Sequence, residues 1–411
     1  MNVLFMSLGT FYNLNDSSVH LDILKRFAEE HEVWLVCKNE DRPTELTEEF
    51  GIHVLRVHTG ELKKVGLIQK GINTIKVEPQ FKNAIKSYLA KTKFDLVLYT
   101  TPPITFASAV KYVKKRDGAI TYLMLKDIFP QNAVDIGMMS TSGVKGLLYK
   151  YFRNKEKGLY KWSDYIGCMS PANCEYVIKH NPEVSRDKVE VCPNVTIIED
   201  KSVDEETRYT IRTKYGIPLD KRVFVYGGNL GKPQDISFVI ECLRACEGIN
   251  ECYFLIIGGG TEYKILEDFM KNENPRNSIL MSALPKADYE TMVAACDVGM
   301  IFLDHRFTIP NFPSRMLSYM KAKVPILAVT DPNTDVGKVI VDGGFGWWCE
   351  SNAPANFAEA VQTVLDTEEV EVVRMKDREF KYMETNYSPD VAYNTILRHF
   401  SKSSENMEHK I

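Results

Sequence analysis

Val223-Phe-Val-Tyr-Gly-Gly-Asn-Leu-Gly-Lys-Pro-Gln-Asp-Ile236 opens on an apolar run, breaks at tandem glycines and resumes as a helix. A strand apolar on both faces, a glycine turn and a helix form the repeating unit of doubly wound parallel sheets. Downstream, Phe312-Pro-Ser-Arg-Met-Leu-Ser-Tyr-Met-Lys-Ala-Lys-Val-Pro325 reads as a loop closing at Pro313, then a helix whose first turn holds Ser314 and Arg315. Each stretch sets free backbone N–H groups at a helix N-terminus beside a cation. Such a terminus carries about half a positive charge and attracts anions, phosphate above all. Two of them in one α/β half fit a diphosphate held between two helices, and so a nucleotide-sugar donor.

Near misses narrow the choice. Gly227-Gly228-Asn229-Leu230-Gly231 departs from Gly-x-Gly-x-x-Gly, which removes the dinucleotide fingerprint. Pro233 follows Gly231-Lys232, where a P-loop needs Ser or Thr to hold magnesium. Gly258-Gly259-Gly260 reads either as a plain strand-to-helix turn or as a nucleotide contact. No Asp-x-Asp occurs, so neither a metal nor a cofactor is expected beyond the nucleotide-sugar itself.

A chain of 411 residues exceeds one ordinary core and predicts two domains. No run approaches the ~18 apolar residues that span a membrane, and Met1–Gly9 lacks the basic region of a signal peptide. Nine cysteines are scattered without Cys-x-x-Cys pairs, and no histidine joins Cys242 and Cys246, which fits a reducing, cytosolic setting. The net charge of −4 hides an asymmetry, because residues 51–161 carry 20 Lys/Arg against 7 Asp/Glu. Such a block implies an anionic partner or a solvated face. Residues 142–162 interleave aromatics with lysines as an interfacial helix does. With residues 63–93 they are expected to meet an anionic membrane surface at the inner face of the plasma membrane. The alternative is a helix packing Leu147, Leu148, Tyr151 and Phe152 into the N-terminal domain. No nucleic-acid-binding module appears in the order of elements.

Strands and helices alternate throughout, the pattern of parallel sheets covered on both faces. Strands are expected at Val3–Ser7, Val33–Cys37, His53–Val57, Leu96–Tyr99, Ile120–Leu125, Tyr165–Met169 and Val189–Cys192. A helix over Phe81–Lys91 sets Phe81, Ala84, Ile85, Tyr88 and Leu89 on one face. The polar stretch from Glu199 to Lys221 reads as a linker. A second run of strands follows at Val223, Tyr253–Ile257, Ile279–Met281, Val298–Phe302, Pro325–Val329 and Gly346–Cys349. The division expected is 1–198 and 199–387. A last helix, 388–401, packs back on the first domain. Two doubly wound domains facing each other leave a cleft at the carboxyl ends of their strands.

Several segments together resemble a family. They are Thr101-Pro-Pro103, Lys126-Asp-Ile-Phe-Pro-Gln-Asn132, Lys161-Trp-Ser-Asp-Tyr-Ile166, Val191-Cys-Pro-Asn194, Gly227–Lys232, Ala295-Cys-Asp297 and Pro313–Tyr319. In this order they resemble the GT-B glycosyltransferases of family 4, in the bacterial branch that builds capsule, O-antigen and exopolysaccharide. The resemblance covers nearly the whole chain. It implies retaining transfer of a sugar from a nucleotide-sugar, a UDP-sugar by expectation, held by the donor domain 199–387, to a lipid-linked saccharide held by the acceptor domain 1–198. It also departs from the family. Pro310 and Ser318 stand where many members carry a glutamate pair, Asn229 and Gln234 where an Arg and a Lys usually hold the diphosphate, and Lys126 where a histidine often precedes the aspartate matched to Asp127. These departures keep two alternatives open: a sugar-nucleotide epimerase or hydrolase, and a GT-B-like binding protein without turnover.

On the donor side the candidates are Gly228, Asn229, Lys232, Gly258, Leu284, Ser314, Arg315, Met316 and Ser318. Lys232 and Arg315, both expected to be exposed, would stabilise charge on the departing diphosphate. A cation in the first turn of a helix is electrostatically misplaced unless an anion joins it, which singles out Arg315. Ser314 is a phosphate ligand, a helix cap or both. Asp304-His305-Arg306 follows a strand end, where it lines the donor sugar or is surface structure. On the acceptor side the candidates are Asp16, Ser17 and Lys126. Asp16 with Ser17 and Ser18 alternatively caps a helix beginning near His20. Asp127 ends an apolar strand and either serves the acceptor as a base or caps the turn before Pro130.

Overall fold

A computed structural model describes residues 1–60 and 67–408, and the chain divides into two compact units. One comprises Met1–Ile197 with the segment from Ser388, the other Ile198–Tyr387.

The first unit holds β1 (Asn2–Met6), β2 (Glu32–Asn39), β3 (Glu45–Glu49), β4 (Ile52–His58), β5 (Leu96–Thr100), β6 (Ile120–Leu125), β7 (Tyr165–Cys168) and β8 (Val189–Val191). They form one sheet in the order β3-β4-β2-β1-β5-β6-β7-β8. All pairs are parallel except β3 with β4. Strand order reverses between β1 and β5, which makes their carboxyl ends the switch point where ligands bind in open α/β sheets. Helices α1 (Leu21–Ala28), α2 (Leu67–Tyr88), α3 (Ala107–Asp117), α4 (Gln131–Asp135), α5 (Gly143–Trp162) and α6 (Pro171–His180) cross between the strands.

The second unit holds β9 (Arg222–Asn229), β10 (Cys252–Gly259), β11 (Ser278–Met281), β12 (Val298–Phe302), β13 (Ile326–Thr330) and β14 (Gly346–Glu350). Its sheet is wholly parallel, in the order β11-β10-β9-β12-β13-β14, and reverses between β9 and β12. Its helices are α7 (Glu205–Lys214), α8 (Ile236–Ala245), α9 (Tyr263–Glu273), α10 (Lys286–Ala294), α11 (Arg315–Ala322), α12 (Val336–Asp342), α13 (Pro354–Leu365) and α14 (Glu369–Tyr387). A core of Phe224, Tyr226, Phe254, Ile256, Phe302 and Phe357 lies under one face of the sheet. The final helix, α15 (Pro389–Glu408), packs on α1 in the first unit. There the Phe27 and Tyr393 rings meet at 4.9 Å, and the Arg26 guanidinium lies 3.8 Å over Tyr393.

Three local expectations change. The charged stretch Glu45–Glu49 is a strand, because an edge strand buries one face only and Arg56 on β4 meets Glu49 at 2.5 Å. Helix α2 extends from Leu67 to Tyr88, beyond the start expected at Phe81, and contains Pro79. Phe81, Ala84, Ile85 and Leu89 are buried, but Tyr88 is 46% exposed and its hydroxyl donates to the Thr44 carbonyl. Helix α5 buries Leu159 and Tyr160 in its last turns but not the apolar residues of its first half. Val144 is 86% exposed, Leu147 68% and Leu148 48%. Phe152 alone of the four tested positions turns inward, against Phe129 at 5.2 Å. The lysines of α5 are less free than the sequence implies, because Lys155 pairs with Glu78 at 2.6 Å and Lys157 with Glu183 at 2.9 Å. Residues 61–66 and the Lys145 side chain lie outside the described residues. No helix among the described residues is long and apolar enough to cross a membrane.

Candidate functional site

At the switch point of the second unit, β9 and β12 stay in register for only two residue pairs, ending at Gly299 opposite Val225. Beyond that the strands part. Tyr319 of α11 fills the opening: its fully buried hydroxyl lies 3.2 Å from the Val225 carbonyl and 3.0 Å from the Met300 carbonyl. Glycine is required at 299, since a Cβ there would lie 2.5 Å from the Tyr319 ring. This wedge sets the start of α11 over the end of β9.

Arg315 then lies against the tandem glycines. Its guanidinium stands 4.0 Å over the Tyr226 ring, and a Cβ on Gly228 would meet its Nη2 at 2.6 Å. Gly228 also has φ +130°, a conformation open to glycine. No carboxylate pairs with Arg315 among the described residues; its neighbours are the phenols of Tyr226, Tyr289 and Tyr319. The side chain is half-buried, which corrects the exposed position expected of it. A cation packed on an aromatic face, without a counter-ion and at a helix N-terminus, is prepared for an anion.

The rest of the site divides into free groups and committed ones. Ser314 is exposed and makes no capping hydrogen bond, so its hydroxyl is available while the expected capping role is not seen. Ser318, also exposed, lies one turn further along α11. Lys232 is exposed in the short turn after β9. Met316 is only 1% exposed, so its side chain belongs to the core and only its backbone can face a ligand. Asn229 Nδ2 donates to Gln234 Oε1 at 3.1 Å, and Gln234 Oε1 also accepts from the Gly231 N–H at 3.3 Å. A neutral side-chain pair thus closes the turn. Gly258 is set by backbone packing, because a Cβ there would fall 1.9 Å from the Gly228 carbonyl oxygen. Leu284 is half-buried in the loop before α10.

Asp304 is buried and its N–H donates to the Pro233 carbonyl at 3.0 Å, stitching the loop after β12 to the turn after β9. Asp235, Asp304 and His305 bring ligand atoms within 4.8 Å of one another, a possible cation set. Both carboxylates are already engaged, however. Arg306 Nε meets Asp304 at 2.9 and 3.1 Å, and Asp235 caps α8 through the Phe238 N–H.

In the first unit, Thr101 joins the ends of β5 and β6: its Oγ1 accepts from the N–H groups of Lys126 at 2.9 Å and Asp127 at 3.2 Å. The Asp127 carboxylate accepts twice from Asn132 Nδ2, at 2.8 and 2.9 Å. The carboxylate also takes the Ile128 N–H, so it closes the turn before Pro130 as one of the two readings expected, although α4 itself has no side-chain cap. Burial raises its carboxyl from 3.8 to about 6. Lys126 Nζ donates to the Pro193 carbonyl at 3.2 Å, and burial lowers the amine to about 8. His20 stands beside Ser7, with Nδ1 3.4 Å from Oγ; burial and then the Lys126 charge lower the imidazole to about 4. Ser17 is committed, donating to Asp22 at 2.9 Å, while Ser18 accepts from the Leu21 N–H at the start of α1. Asp16 takes no part in that cap and is exposed. Sequence patterns alone do not single out Ser7, His20, Tyr226 or Tyr289, because each gains its meaning from a neighbour distant in the chain.

Residues 207–380 match the family model described as glycosyl transferases group 1. A curated protein of Pseudomonas aeruginosa, "Probable glycosyltransferase WbjE", is 24% identical over 284 residues. The match takes in 68% of this chain and 66% of that protein, so the chain spans just under two thirds of its relative's length. Among solved structures, sucrose-phosphate synthase from Thermosynechococcus elongatus superposes with TM-score 0.73 at 13% identity, covering 98% of this chain and 99% of that one. HepE of Anabaena, in complex with UDP, gives TM-score 0.66 at 13% identity over 98% and 100% of the two chains. These likenesses show the fold, two parallel-sheet α/β domains of the GT-B kind.

Proposed function

We propose, from the premise that residues 207–380 form a glycosyltransferase group 1 domain, that this chain moves a sugar from a nucleotide-sugar to a lipid-linked saccharide with retention of configuration. One observation carries the donor assignment: the Arg315 guanidinium, stacked on Tyr226 against Gly228, has no carboxylate partner among the described residues. A diphosphate there would accept from Arg315, Ser314 and the first N–H groups of α11, with Lys232 at its rim. These groups would neutralise the leaving diphosphate without a metal. The UDP complex of HepE, a neighbour in fold, favours a uridine donor. The fold neighbour WaaG, a glycosyltransferase involved in lipopolysaccharide biosynthesis, favours a role in bacterial surface polysaccharide synthesis, in the capsule or O-antigen branch.

A thermal-shift panel of UDP, GDP, ADP and TDP, each with its sugar derivative, tests the donor assignment, because a ligand of the folded state raises the melting point by mass action. Stabilisation by one base series, with nucleoside diphosphate released only when a saccharide acceptor is added, is the expected result. No shift with any nucleotide rejects the donor site. Breakdown of the donor without acceptor selects a hydrolase or epimerase instead.

Membrane association belongs to the same reading and rests on α5. Its exposed Val144, Leu147 and Leu148 offer an apolar edge, with Lys150 exposed beside them. Near the other end of the helix, Lys111 and Lys115 lie over Trp162 and, with Lys82, Lys86 and Arg116, line a basic groove. Changing Leu147 and Leu148 together to Gln should weaken sedimentation with anionic vesicles by about 10-fold or more, since each buried leucine contributes about 1.5–3 kcal/mol. Lys150→Gln should cost less, about 1 kcal/mol. Equal sedimentation of the double variant and the parent rejects α5 as the contact.

A further inference from the structure

We infer that Lys126, with Ser7 and His20 beside it, binds an oxyanion carried by the acceptor, a phosphate or a carboxylate. This rests on assigning the first unit to the acceptor. The residues converge on that unit's switch point. Ser7 follows β1, Lys126 follows β6, and His20 precedes α1. Residues 193–197 cross above them, held to the Asp22 carboxylate by Thr196 Oγ1 at 3.3 Å and the Ile197 N–H at 3.0 Å. Beneath this strap the Lys126 ammonium has one neutral acceptor, the Pro193 carbonyl, and no carboxylate within 4 Å among the described residues.

A half-buried charge that keeps its proton without a counter-ion is costly, and proteins ordinarily pair it or neutralise it. Its other charged neighbours do not help: the Cys168 and Cys192 thiols are held neutral by their surroundings. Asp127, next in sequence, spends its carboxylate on Asn132. His20 stays uncharged near neutral pH, so it adds no repulsion of its own. In the tautomer whose Nδ1 accepts from the Ser7 hydroxyl, the imidazole proton sits on Nε2, which is then a donor as well. The set therefore lacks an anion with several acceptor oxygens. Because Lys126 and His20 are both half-exposed, such a group can reach them from solvent.

The test uses the full chain and calorimetric titration with glucose 1-phosphate, glucuronate and glucose, with UDP titrated in parallel. One of the two anions should bind about 10-fold or more tighter than glucose, the difference one charged hydrogen bond supplies. The arm that wins tells phosphate from carboxylate. Lys126→Met should abolish that preference while Lys126→Arg keeps it, and Lys126→Gln serves if the Met variant does not fold. Two anions binding no tighter than glucose, or a preference that survives loss of the lysine charge, overturns the proposal. UDP binding separates the two readings. An anion preference without UDP binding rejects the donor assignment and leaves this site standing; UDP binding without the preference does the reverse.

Discussion

Asp127→Asn is expected to leave nucleoside-diphosphate affinity unchanged while lowering glycosyl transfer by about 10²-fold or more, the scale for losing a general base. The carboxylate ends β6 and is aimed by two contacts from Asn132, and its value of about 6 brings its protonation change close to neutrality. The same shift fixes the stability effect. Below the unfolded value near 4, folded and unfolded chains both hold the proton. Between about 4 and 6 only the folded chain does, so stability present at low pH is lost as pH rises through the folded value. Above that the ionised carboxylate costs up to about 2–3 kcal/mol. Asparagine removes the charge and keeps an oxygen for Asn132, so the variant should match the parent in acid and equal or exceed its melting point at pH 7.5. Full turnover at unchanged donor affinity would remove Asp127 from the chemistry.

Arg315→Ala should weaken nucleoside-diphosphate binding by about 1.5–3 kcal/mol, the range for hydrogen bonds to a charged group. Because the guanidinium packs on Tyr226, the change also removes a cation–π contact of about 0.5–2 kcal/mol, partly offset by relief of an unpaired charge. Lys232→Ala is the contrast. Lys232 is exposed and forms no ion pair among the described residues, so its loss should leave stability alone and cost less affinity. Arg315→Lys should recover only part of the binding, since a lysine keeps the charge without the planar fork. Calorimetry with UDP reads all three, and unchanged affinity in both alanine variants rejects the diphosphate assignment.

Much of the fold is legible because strands covered on both faces must be apolar throughout. Val223–Tyr226, Phe254–Ile257 and Val298–Phe302 read directly as β9, β10 and β12. The strand Glu45–Glu49 is not legible, because an edge needs few apolar residues, and the length of α2 is hidden by Pro79, which reads as a helix breaker. In the candidate site, the position of Arg315 is marked by its local mismatch with the helix dipole. Its aromatic bed is not, because Tyr226, Tyr289 and Tyr319 come from three elements and meet only in the folded unit. The exposure of Leu147 and Leu148 is likewise invisible to periodicity, which gives a helix an apolar stripe without saying what covers it.

Helix α15 sets the order in which the chain is able to fold during synthesis. The second unit is continuous in sequence, whereas the first closes its core over Leu24 and Phe27 only with Ala392, Tyr393 and Ile396. At ordinary elongation rates, the ribosome takes on the order of 10–40 s to make residues 198–387. For that interval the first unit waits with part of its apolar surface bare, while the second has all it needs to complete itself. The nascent first unit is therefore the stage at which this protein most depends on protection from aggregation.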